Sequence, residues 1–445
     1  MNLVFASPKL QENPFKRVRR FILYMKIIRG TGSQPRKRIK RKKAKVKTGI
    51  KVPSKLKFVD LFAGAGGLSC GLEQAGMECV LGVDFDKAAM NTFKRNHKDA
   101  EVFVGDIGKL SDKMVIQLTG NQKIDMVCGG PPCQGLSTVG KGIPNDPRNY
   151  LFLQFVRIVK TLSPTYIVFE NVTGLVGKKN ENILNGILGE FNKLGYELEV
   201  HVLSAHHYGV PQKRRRTIFI GNKKGYENIF PKIMFDAGDK SLPLARTVGD
   251  AIQNIEASDG AIFNHDVEKA SLPYGIDLER LKHIPEGECI RYQEDEVKFL
   301  PKALKMGVDW STIEEGRFRQ AKYRRLSRNE PSPTIMTDGH SYYHPTEHRY
   351  LTVREAAAIQ SFPNDFVFEG TITQNWRQIG NAVPPLLAKA IGECIITMET
   401  EKPKANSNKS SIRHVRSLAF NYKTNPKLDR SQQSLADFAV STKHA

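Results

Sequence analysis

The segment spanning residues 57–84 constrains the fold more than any other part of the sequence. An apolar run at residues 58–62 is followed by the glycine-rich turn Ala63-Gly-Ala-Gly-Gly67, a helical stretch at 68–75 and a second apolar run at 79–84. A strand, a tight turn, a helix and a strand predict a parallel βαβ unit with a ligand loop at its first turn. The chain is therefore predicted to have an α/β fold, with a mostly parallel sheet and helices on both faces.

The residues around this turn favour a nucleoside ligand without a pyrophosphate. The turn contains Gly64 and Gly66, but Ser69 stands where a dinucleotide fingerprint needs its third glycine, and no P-loop lysine follows. Asp84 ends the second strand and can accept hydrogen bonds from two ribose hydroxyls. Asp106 follows the third predicted strand and can accept one from an adenine amino group. Together these groups fit S-adenosylmethionine better than NAD, and Ser69 disfavours an NAD-dependent oxidoreductase.

A stiff loop after the fourth predicted strand contains a candidate nucleophile. Residues 124–128 are an apolar run closed by glycines, and Cys133 follows Pro131 and Pro132. The prolines fix two φ angles, so the thiol can be held in place at the carboxyl edge of the sheet, where ligands bind in open α/β folds. A thiol reacts as the thiolate and needs an activating group. The alternative is a structural cysteine in a tight turn.

Two further strand ends supply a carboxylate and arginines. Glu170 follows the predicted strand at residues 166–169, and Arg214 and Arg216 precede the predicted strand at residues 217–220. Neighbouring strand ends would bring these groups close to the Cys133 loop. Taken singly, they could equally be a surface glutamate and a solvated basic run.

The charge of the chain is concentrated in its termini. The formal net charge is +22, yet residues 1–57 contain 19 Lys and Arg with one acid, and residues 402–445 contain nine with two acids. This distribution predicts basic, disordered tails that attract a polyanion through salt-dependent phosphate contacts, around a nearly neutral core. The run at 35–45 would also resemble a nuclear-import signal, and Met25 is a conceivable alternative start.

Cysteine spacing and hydropathy bound the remaining possibilities. The six cysteines show no paired short spacings, which argues against a disulfide framework or a zinc site and favours a reducing compartment. No uninterrupted apolar run approaches the roughly 20 residues that a membrane span needs. A soluble protein without a metal is expected.

Several motifs, taken together and in order, resemble those of the DNA (cytosine-5)-methyltransferases, especially the bacterial modification enzymes. The similarity covers residues 58–397 and rests on these motifs: Phe58-Val-Asp-Leu-Phe-Ala-Gly, Gly-Pro-Pro-Cys133-Gln, Phe-Glu170-Asn-Val, Gln212-Lys-Arg-Arg-Arg-Thr, residues 325–335, residues 351–363 and residues 378–385. The resemblance implies a Rossmann-like methyltransferase fold that binds S-adenosylmethionine, with a smaller target-recognition domain.

The resemblance also implies roles for individual residues. Cys133 would be the nucleophile, Glu170 would engage N3 of the target cytosine and Arg216 its O2, while Arg214 would brace the carboxylate or a phosphate. The expected cofactor-binding residues are Phe62, Ala63, Gly64, Gly66, Leu68, Asp84, Phe85, Asp106, Ile107, Leu151 and Asn381. The expected DNA-binding residues, in a mobile loop past the cysteine, are Gln134 and Ser137.

The same family implies a division of the chain into five parts. Residues 1–57 and 401–445 would be the tails, 58–255 the catalytic and cofactor-binding domain, 256–349 the target-recognition domain and 350–400 a segment completing the catalytic domain. A helix at about 384–397 should pack beside the first strand. The basic residues of the recognition region could read guanine edges or hold phosphates, and these are Arg280, Lys282, Arg291, Lys298, Lys302, Lys305, Arg317, Arg319 and Lys322.

The expected function is methylation of C5 of a cytosine flipped out of a short specific site in double-stranded DNA, through a covalent bond between Cys133 and C6. A monomer in the bacterial cytoplasm is expected, associated with the nucleoid through DNA, and a cognate restriction endonuclease would act separately. One alternative is a transfer-RNA methylase of the same family, although its Cys-Phe-Thr signature is missing. Another is a catalytically silent protein that binds nucleic acid.

Overall fold

The computed structural model describes residues 55–131, 150–177, 180–235, 241–272, 275–312 and 322–404. Cys133, Gln134 and Ser137 lie outside these residues, as do Arg317 and Arg319 and nearly all of both basic tails. The predictions that concern them therefore remain predictions.

A seven-stranded sheet organises the fold, with the strand order β3-β2-β1-β4-β5-β7-β6. The strands are β1 Lys57–Leu61, β2 Glu78–Asp84, β3 Glu101–Val104, β4 Met126–Gly129, β5 Tyr166–Asn171, β6 Glu197–Ser204 and β7 Arg215–Asn222. The pairings among β1 to β5 are parallel, and β7 runs antiparallel to both β5 and β6. The predicted α/β fold with a mostly parallel sheet is confirmed.

Helices cover both faces of this sheet. Their bounds are α1 Gly67–Gln74, α2 Lys87–Asn96, α3 Asp112–Leu118, α4 Tyr150–Leu162, α5 Glu181–Lys193, α6 Val248–Ile252, α7 Val267–Ala270, α8 Ile276–Lys282, α9 Gln293–Phe299, α10 Val353–Ile359, α11 Ile372–Asn381 and α12 Pro385–Glu401. Short 3-10 turns include Ile107–Lys109, Thr173–Val176 and Ala205–Tyr208. The helix predicted at residues 68–75 of the first βαβ unit is observed at Gly67–Gln74.

The strands are apolar on both sides because each face is buried. Alternate residues of β1 point to opposite faces, so Val59 packs in one core and Phe58 in the other. The core containing Val59 is closed by α4 and α5, through residues such as Phe155 and Phe191. The core containing Phe58 is closed by α1, α2 and α12. Because these helices pack on the faces of the sheet, the carboxyl ends of the parallel strands stay uncovered at one edge.

Helix α12 brings the end of the chain back to its first βαβ unit. Its residues Leu387 and Ile391 share a core with Phe58, and α1 lies so close that a Cβ at Gly71 would be 2.1 Å from the carbonyl oxygen of Pro385. The hydroxyl of Tyr166 also donates to Glu399 Oε2 at 2.9 Å. The helix predicted beside the first strand is thus confirmed.

Residues Ile372–Glu401 are long and apolar enough, by composition, to cross a membrane. This stretch is two helices, α11 and α12, separated by a break that contains Pro384. Of its apolar window, 67% is buried inside the fold. The stretch is accounted for by its position in the protein core.

The region between α6 and α10 has little regular structure. Its own apolar cluster is small and centres on Ile284, Ile290 and Leu300. Isolated bridges join its segments, including an antiparallel bridge between Ile290 and Lys322 and a parallel bridge between Arg325 and Tyr343. The boundaries 256–349 for a target-recognition domain stay a prediction.

Candidate active site

A cleft at the carboxyl edge of the sheet brings together most of the predicted cofactor-binding residues with Glu170. Its volume is about 470 Å³. The predicted residues that line it are Phe62, Ala63, Gly64, Leu68, Asp84, Phe85, Glu170 and Asn381. They come from the ends of β1, β2 and β5 and from the end of α11, so that segments far apart in sequence meet at one edge.

The glycine-rich turn fixes the carboxylate of Asp84. Gly64 has a φ of +54°, which a glycine adopts without strain, and its N–H donates to Asp84 Oδ2 at 2.9 Å. The N–H of Asp86 donates to the other oxygen, Oδ1, also at 2.9 Å. Burial raises the pKa of Asp84, and these hydrogen bonds oppose the rise. The oriented carboxylate keeps lone pairs that can accept from the vicinal hydroxyls of a ribose.

Two phenylalanines lie where a flat ring could stack. Phe85 follows Asp84 and is 77% exposed, which is unusual for a phenylalanine. Phe62 has a φ of +61°, a left-handed conformation that costs energy for any residue other than glycine. An aromatic face beside a ribose-binding carboxylate is suited to an adenine ring.

Asn381 reaches this cleft from the other end of the chain. It is the last residue of α11, and its side chain is exposed at the cleft. The preceding residue, Gly380, is packed so tightly that a Cβ there would lie 2.5 Å from the carbonyl oxygen of Met336. The C-terminal segment therefore completes the cleft formed by the first strands.

Four predicted cofactor residues do not line the cavity. Gly66 makes room for His97, because a Cβ there would lie 2.3 Å from His97 Nε2. Asp106 is exposed and caps a 3-10 turn by accepting from the N–H of Gly108 at 2.9 Å. Ile107 is buried in the core, and Leu151 is partly buried against the same core. Gly66, Ile107 and Leu151 thus have packing reasons for their identity, and their predicted contacts with the cofactor stay predictions.

Glu170 and Arg216 form an ion pair at the cleft. Arg216 Nε lies 2.5 Å from Glu170 Oε1, and both side chains are largely buried. The antiparallel pairing of β5 with β7 sets Asn171 opposite Thr217, which brings the two charged side chains together. The sequence prediction that these groups meet at neighbouring strand ends is thus reproduced in the geometry.

The same strand end holds the start of the loop that leads to Cys133. The side chain of Asn171 donates to the carbonyl oxygen of Pro131 at 3.0 Å. A Cβ at Gly130 would lie 3.5 Å from Glu170 Oε2, so the backbone passes within contact distance of the carboxylate. The described part of the loop, which ends at Pro131, therefore points the chain toward Glu170.

Arg214 is buried against the C-terminal segment. Its side chain is 1% exposed, and its guanidinium donates to the carbonyl oxygens of Gly380 at 2.9 Å and Ile335 at 3.4 Å. Burial, with a smaller contribution from the charge of Arg216, lowers its pKa to about 9, although the carboxylate of Glu170 opposes this shift. These donors tie the residue that precedes β7 to the C-terminal segment, and the role predicted for Arg214, bracing the carboxylate or a phosphate, stays a prediction.

Two buried polar residues at the cleft were missed. Asp60 is 0% exposed, accepts from the Ser69 hydroxyl at 2.6 Å, and has a second oxygen without a partner among the described residues. Burial raises its pKa to about 6. Gln378 also lines the cleft with its Oε1 unpartnered. In the sequence, Asp60 could have been found as an acid inside an apolar strand, and Ser69, its hydrogen-bond partner, stands where a dinucleotide fingerprint has its third glycine.

The cysteines within the described ranges lack the properties of a nucleophile. Cys70, Cys79, Cys128 and Cys394 are buried and Cys289 is partly buried, and burial raises the pKa of each thiol. None of them lines the cleft. Within those ranges, no group of three or more His, Cys, Asp or Glu residues is arranged to hold a metal ion.

The fold and the cleft define a class of enzyme when they are compared with known structures. A solved structure described as a putative DNA modification methyltransferase encoded within a prophage of E. coli has a TM-score of 0.58 and 26% identity to this chain, covering 78% of this chain and 100% of the other. This similarity places the protein among the S-adenosylmethionine-dependent DNA methyltransferases.

The family follows from the sequence comparisons. The family model of the C-5 cytosine-specific DNA methylases matches residues 56–397, and the chain therefore belongs to that family. The Type II methyltransferase M1.HphI of Haemophilus parahaemolyticus is 37% identical over 354 residues, covering 78% of this chain and 88% of the relative. M.XorII of Xanthomonas oryzae pv. oryzae is 36% identical over 379 residues, covering 78% and 86%. Membership makes the protein a DNA (cytosine-5)-methyltransferase and implies S-adenosylmethionine as its methyl donor.

Proposed function

We propose that the protein methylates C5 of a cytosine flipped out of a short specific site in double-stranded DNA, through a covalent bond between Cys133 Sγ and C6 of the base. The observation that carries this proposal is the ion pair of Glu170 and Arg216, which adjoins the cofactor cleft and the start of the Cys133 loop. A base beside this pair would have its ring next to the methyl donor.

The chemistry requires these groups because C5 of cytosine is a poor nucleophile. When the Cys133 thiolate adds to C6, electron density moves to C5 and negative charge develops toward N3 and O2. Glu170 would share a proton with N3, and Arg216 would donate to O2, stabilising the adduct. S-adenosylmethionine supplies an electrophilic methyl group. After C5 has accepted the methyl group, a base, water being one candidate, removes the C5 proton and the thiolate leaves.

The cofactor would be held by the cleft residues already described. Asp84 would accept from the ribose hydroxyls, Phe85 would stack on the adenine, and Asn381 would contact the donor from the C-terminal side. Of the predicted cofactor contacts outside the cavity, Asp106 follows β3 by two residues, next to β2. The N–H of Gly105 donates to the backbone oxygen of Asp84 at 2.9 Å, which keeps the two strand ends adjacent.

Flipping the base costs a few kcal/mol of stacking and pairing energy, which DNA contacts must offset. We assign these contacts to the loop containing Gln134 and Ser137 and to residues 256–349, with the basic tails adding phosphate attraction. The named relatives are Type II methyltransferases, which supports a modification role. The proposal includes action as a monomer in the bacterial cytoplasm, beside a separate restriction endonuclease.

Two experiments test this function. Incubation with labelled S-adenosylmethionine, duplex DNA and transfer RNA should put label in the DNA. Label in the transfer RNA alone would favour an RNA methylase. No label in either would favour a silent binding protein. A duplex containing 5-fluorocytosine should trap the wild-type protein covalently and should not trap Cys133→Ala. Methylation by Cys133→Ala would refute the covalent mechanism.

A further inference from the structure

A second, larger cleft lies in the irregular region between α7 and α10. Its volume is about 1030 Å³, and basic and aromatic side chains dominate its walls. Those that matter here are Arg280, Arg291, Lys322, Tyr323, Arg324 and Tyr343. Tyr343 stacks between two other tyrosines, with ring centroids 6.2 Å from Tyr323 and 4.6 Å from Tyr350. The cleft thus has a rigid aromatic floor and cationic walls.

Some arginines of this region are fully engaged in holding the backbone. Arg280 donates to the carbonyl oxygens of Leu304 at 2.7 Å and Lys305 at 2.8 Å and to the hydroxyl of Tyr323 at 3.3 Å. Arg325 is 3% exposed. Its guanidinium donates to the carbonyl oxygens of Leu281, Ile284, His344, Pro345 and Glu347. The donors that make these hydrogen bonds are committed to acceptors of the protein itself and are not available to an incoming ligand.

Arg291 and Arg324 differ from these two. Within the described part of the chain, neither side chain makes a hydrogen bond or an ion pair, and Nε of Arg291 is buried without an acceptor. A buried donor without a partner costs free energy, so it favours a ligand that supplies an acceptor. Both residues are partly buried, which limits the motion of their side chains.

The backbone beneath these two arginines is fixed. Ile290 and Lys322 exchange two hydrogen bonds, of 2.8 Å and 2.7 Å, directly beside Arg291. The N–H of Tyr343 donates to the carbonyl oxygen of Arg324 at 2.9 Å. Each arginine therefore projects from an anchored position with its planar donor group free, which is the arrangement that reading a base edge requires.

The cleft is joined to the active site by one short segment. Met336 lines the cleft, and its carbonyl oxygen packs against Gly380, the neighbour of Asn381. The preceding residue, Ile335, accepts a hydrogen bond from Arg214, which precedes β7. The segment 335–336 would thus fix the position of a duplex in this cleft relative to Glu170.

We propose that Arg291 and Arg324 determine the DNA site that this protein methylates, each by donating to N7 and O6 of a guanine in the major groove. This inference rests on the proposed function and deepens it. Arg280 and Arg325 hold the surface that presents them and make no contact with the DNA. Loss of either reading arginine is expected to reduce discrimination at one G·C pair by roughly 10- to 100-fold.

The test uses the full-length protein and a library of duplexes with random sequence. The library is methylated by the wild type and by Arg291→Ala, Arg291→Gln, Arg324→Ala and Arg324→Gln, and bisulfite sequencing then gives the preferred site of each. Arg328→Ala is the matched control, because it removes the same charge from the same region at a residue that pairs with Glu286 at 3.1 Å. Thermal unfolding confirms that each variant is folded.

We expect each reading variant to accept any base at one position of the site, while Arg328→Ala keeps the wild-type site. An unchanged site would overturn the inference. So would methylation that falls equally at all sequences with a shallower salt dependence, since that result describes a phosphate contact. If a folded variant methylates nothing, the library duplexes that it binds are sequenced instead. A site that is unchanged from the wild type in those duplexes would likewise overturn the inference. A wild type that methylates no DNA would overturn the proposed function instead.

Discussion

The sheet and the recognition region achieve rigidity in different ways. In the sheet, alternate apolar residues of every strand are buried against helices, and the functional groups stand at strand ends, where they bear little of the folding free energy. In the recognition region, the apolar cluster is small, and arginines such as Arg325 hold irregular backbone by donating to its carbonyl oxygens. The Glu170–Arg216 pair is proposed to act in catalysis, whereas Arg325 holds the backbone, so changing these charges should have opposite consequences.

The largest effect is expected at a strand end. Glu170→Gln keeps the shape of the side chain but removes the charge that pairs with Arg216, so proton sharing with N3 of the base is lost. Single-turnover methyl transfer should slow by roughly 10²- to 10⁴-fold. Thermal stability and affinity for S-adenosylmethionine should change little.

The control for that change is Glu190→Gln, which removes a carboxylate that pairs with Lys193 on α5, at 2.6 Å. It should transfer methyl groups at the wild-type rate. A Glu170→Gln rate within tenfold of the wild type would mean that the ion pair is structural, and the contrast between the two regions would fail.

The next effect concerns stability in the recognition region. Arg325→Met leaves several buried carbonyl oxygens without donors, so the free energy of local opening should fall by roughly 3 to 5 kcal/mol. Hydrogen exchange should show faster exchange at residues 281–290, 322–326 and 343–350, with protection of β1, β4 and β5 unchanged.

Arg328→Met serves as the control, because Arg328 is exposed and its pairing with Glu286 should contribute less than about 1 kcal/mol. Equal loss of protection in the sheet and the recognition region after Arg325→Met would show that the two regions open together, contrary to the comparison.

The smallest effect is a pH dependence inside the sheet. Burial raises the pKa of Asp60 to about 6 from a usual value of 3.8, so the folded state favours the protonated carboxyl group. Its stabilising contribution is complete below about pH 4 and is lost as the pH rises through 6. The loss is at most about 3 kcal/mol at neutral pH.

Urea unfolding at pH 4 and pH 7 checks this expectation. From pH 4 to pH 7, the free energy of unfolding of the wild type should fall by up to about 3 kcal/mol relative to that of Asp60→Asn, which cannot titrate. The exposed Asp99→Asn variant should match the wild type. An identical pH dependence in wild type and Asp60→Asn would show that Asp60 is ionised in the folded state.

Much of the sheet and the cleft follows from the sequence, because local patterns specify them. Apolar runs predict the strand ends, and with them the positions of Asp84, Glu170 and Arg216. Sequence position could not separate Gly66, which makes room for His97, from Gly64, which orients Asp84. Nor could it show that Arg214 is buried, since its acceptors at Gly380 and Ile335 lie more than 100 residues away.

The recognition region could not be predicted in this way. Its segments are joined by single bridges such as Ile290 with Lys322, and these leave no periodic pattern in the sequence. Whether an arginine there is structural depends on which carbonyl oxygens surround it. Arg280 and Arg291 look alike in sequence, and only their contacts distinguish them.

The position of α12 against α1 has a consequence for biosynthesis. The ribosome makes the first βαβ unit early, but the helix that covers its apolar face and the asparagine at the donor cleft are added hundreds of residues later. Until then, the nascent chain has neither a covered core nor a complete cofactor site. The enzyme can begin to methylate DNA only after α12 has been synthesised.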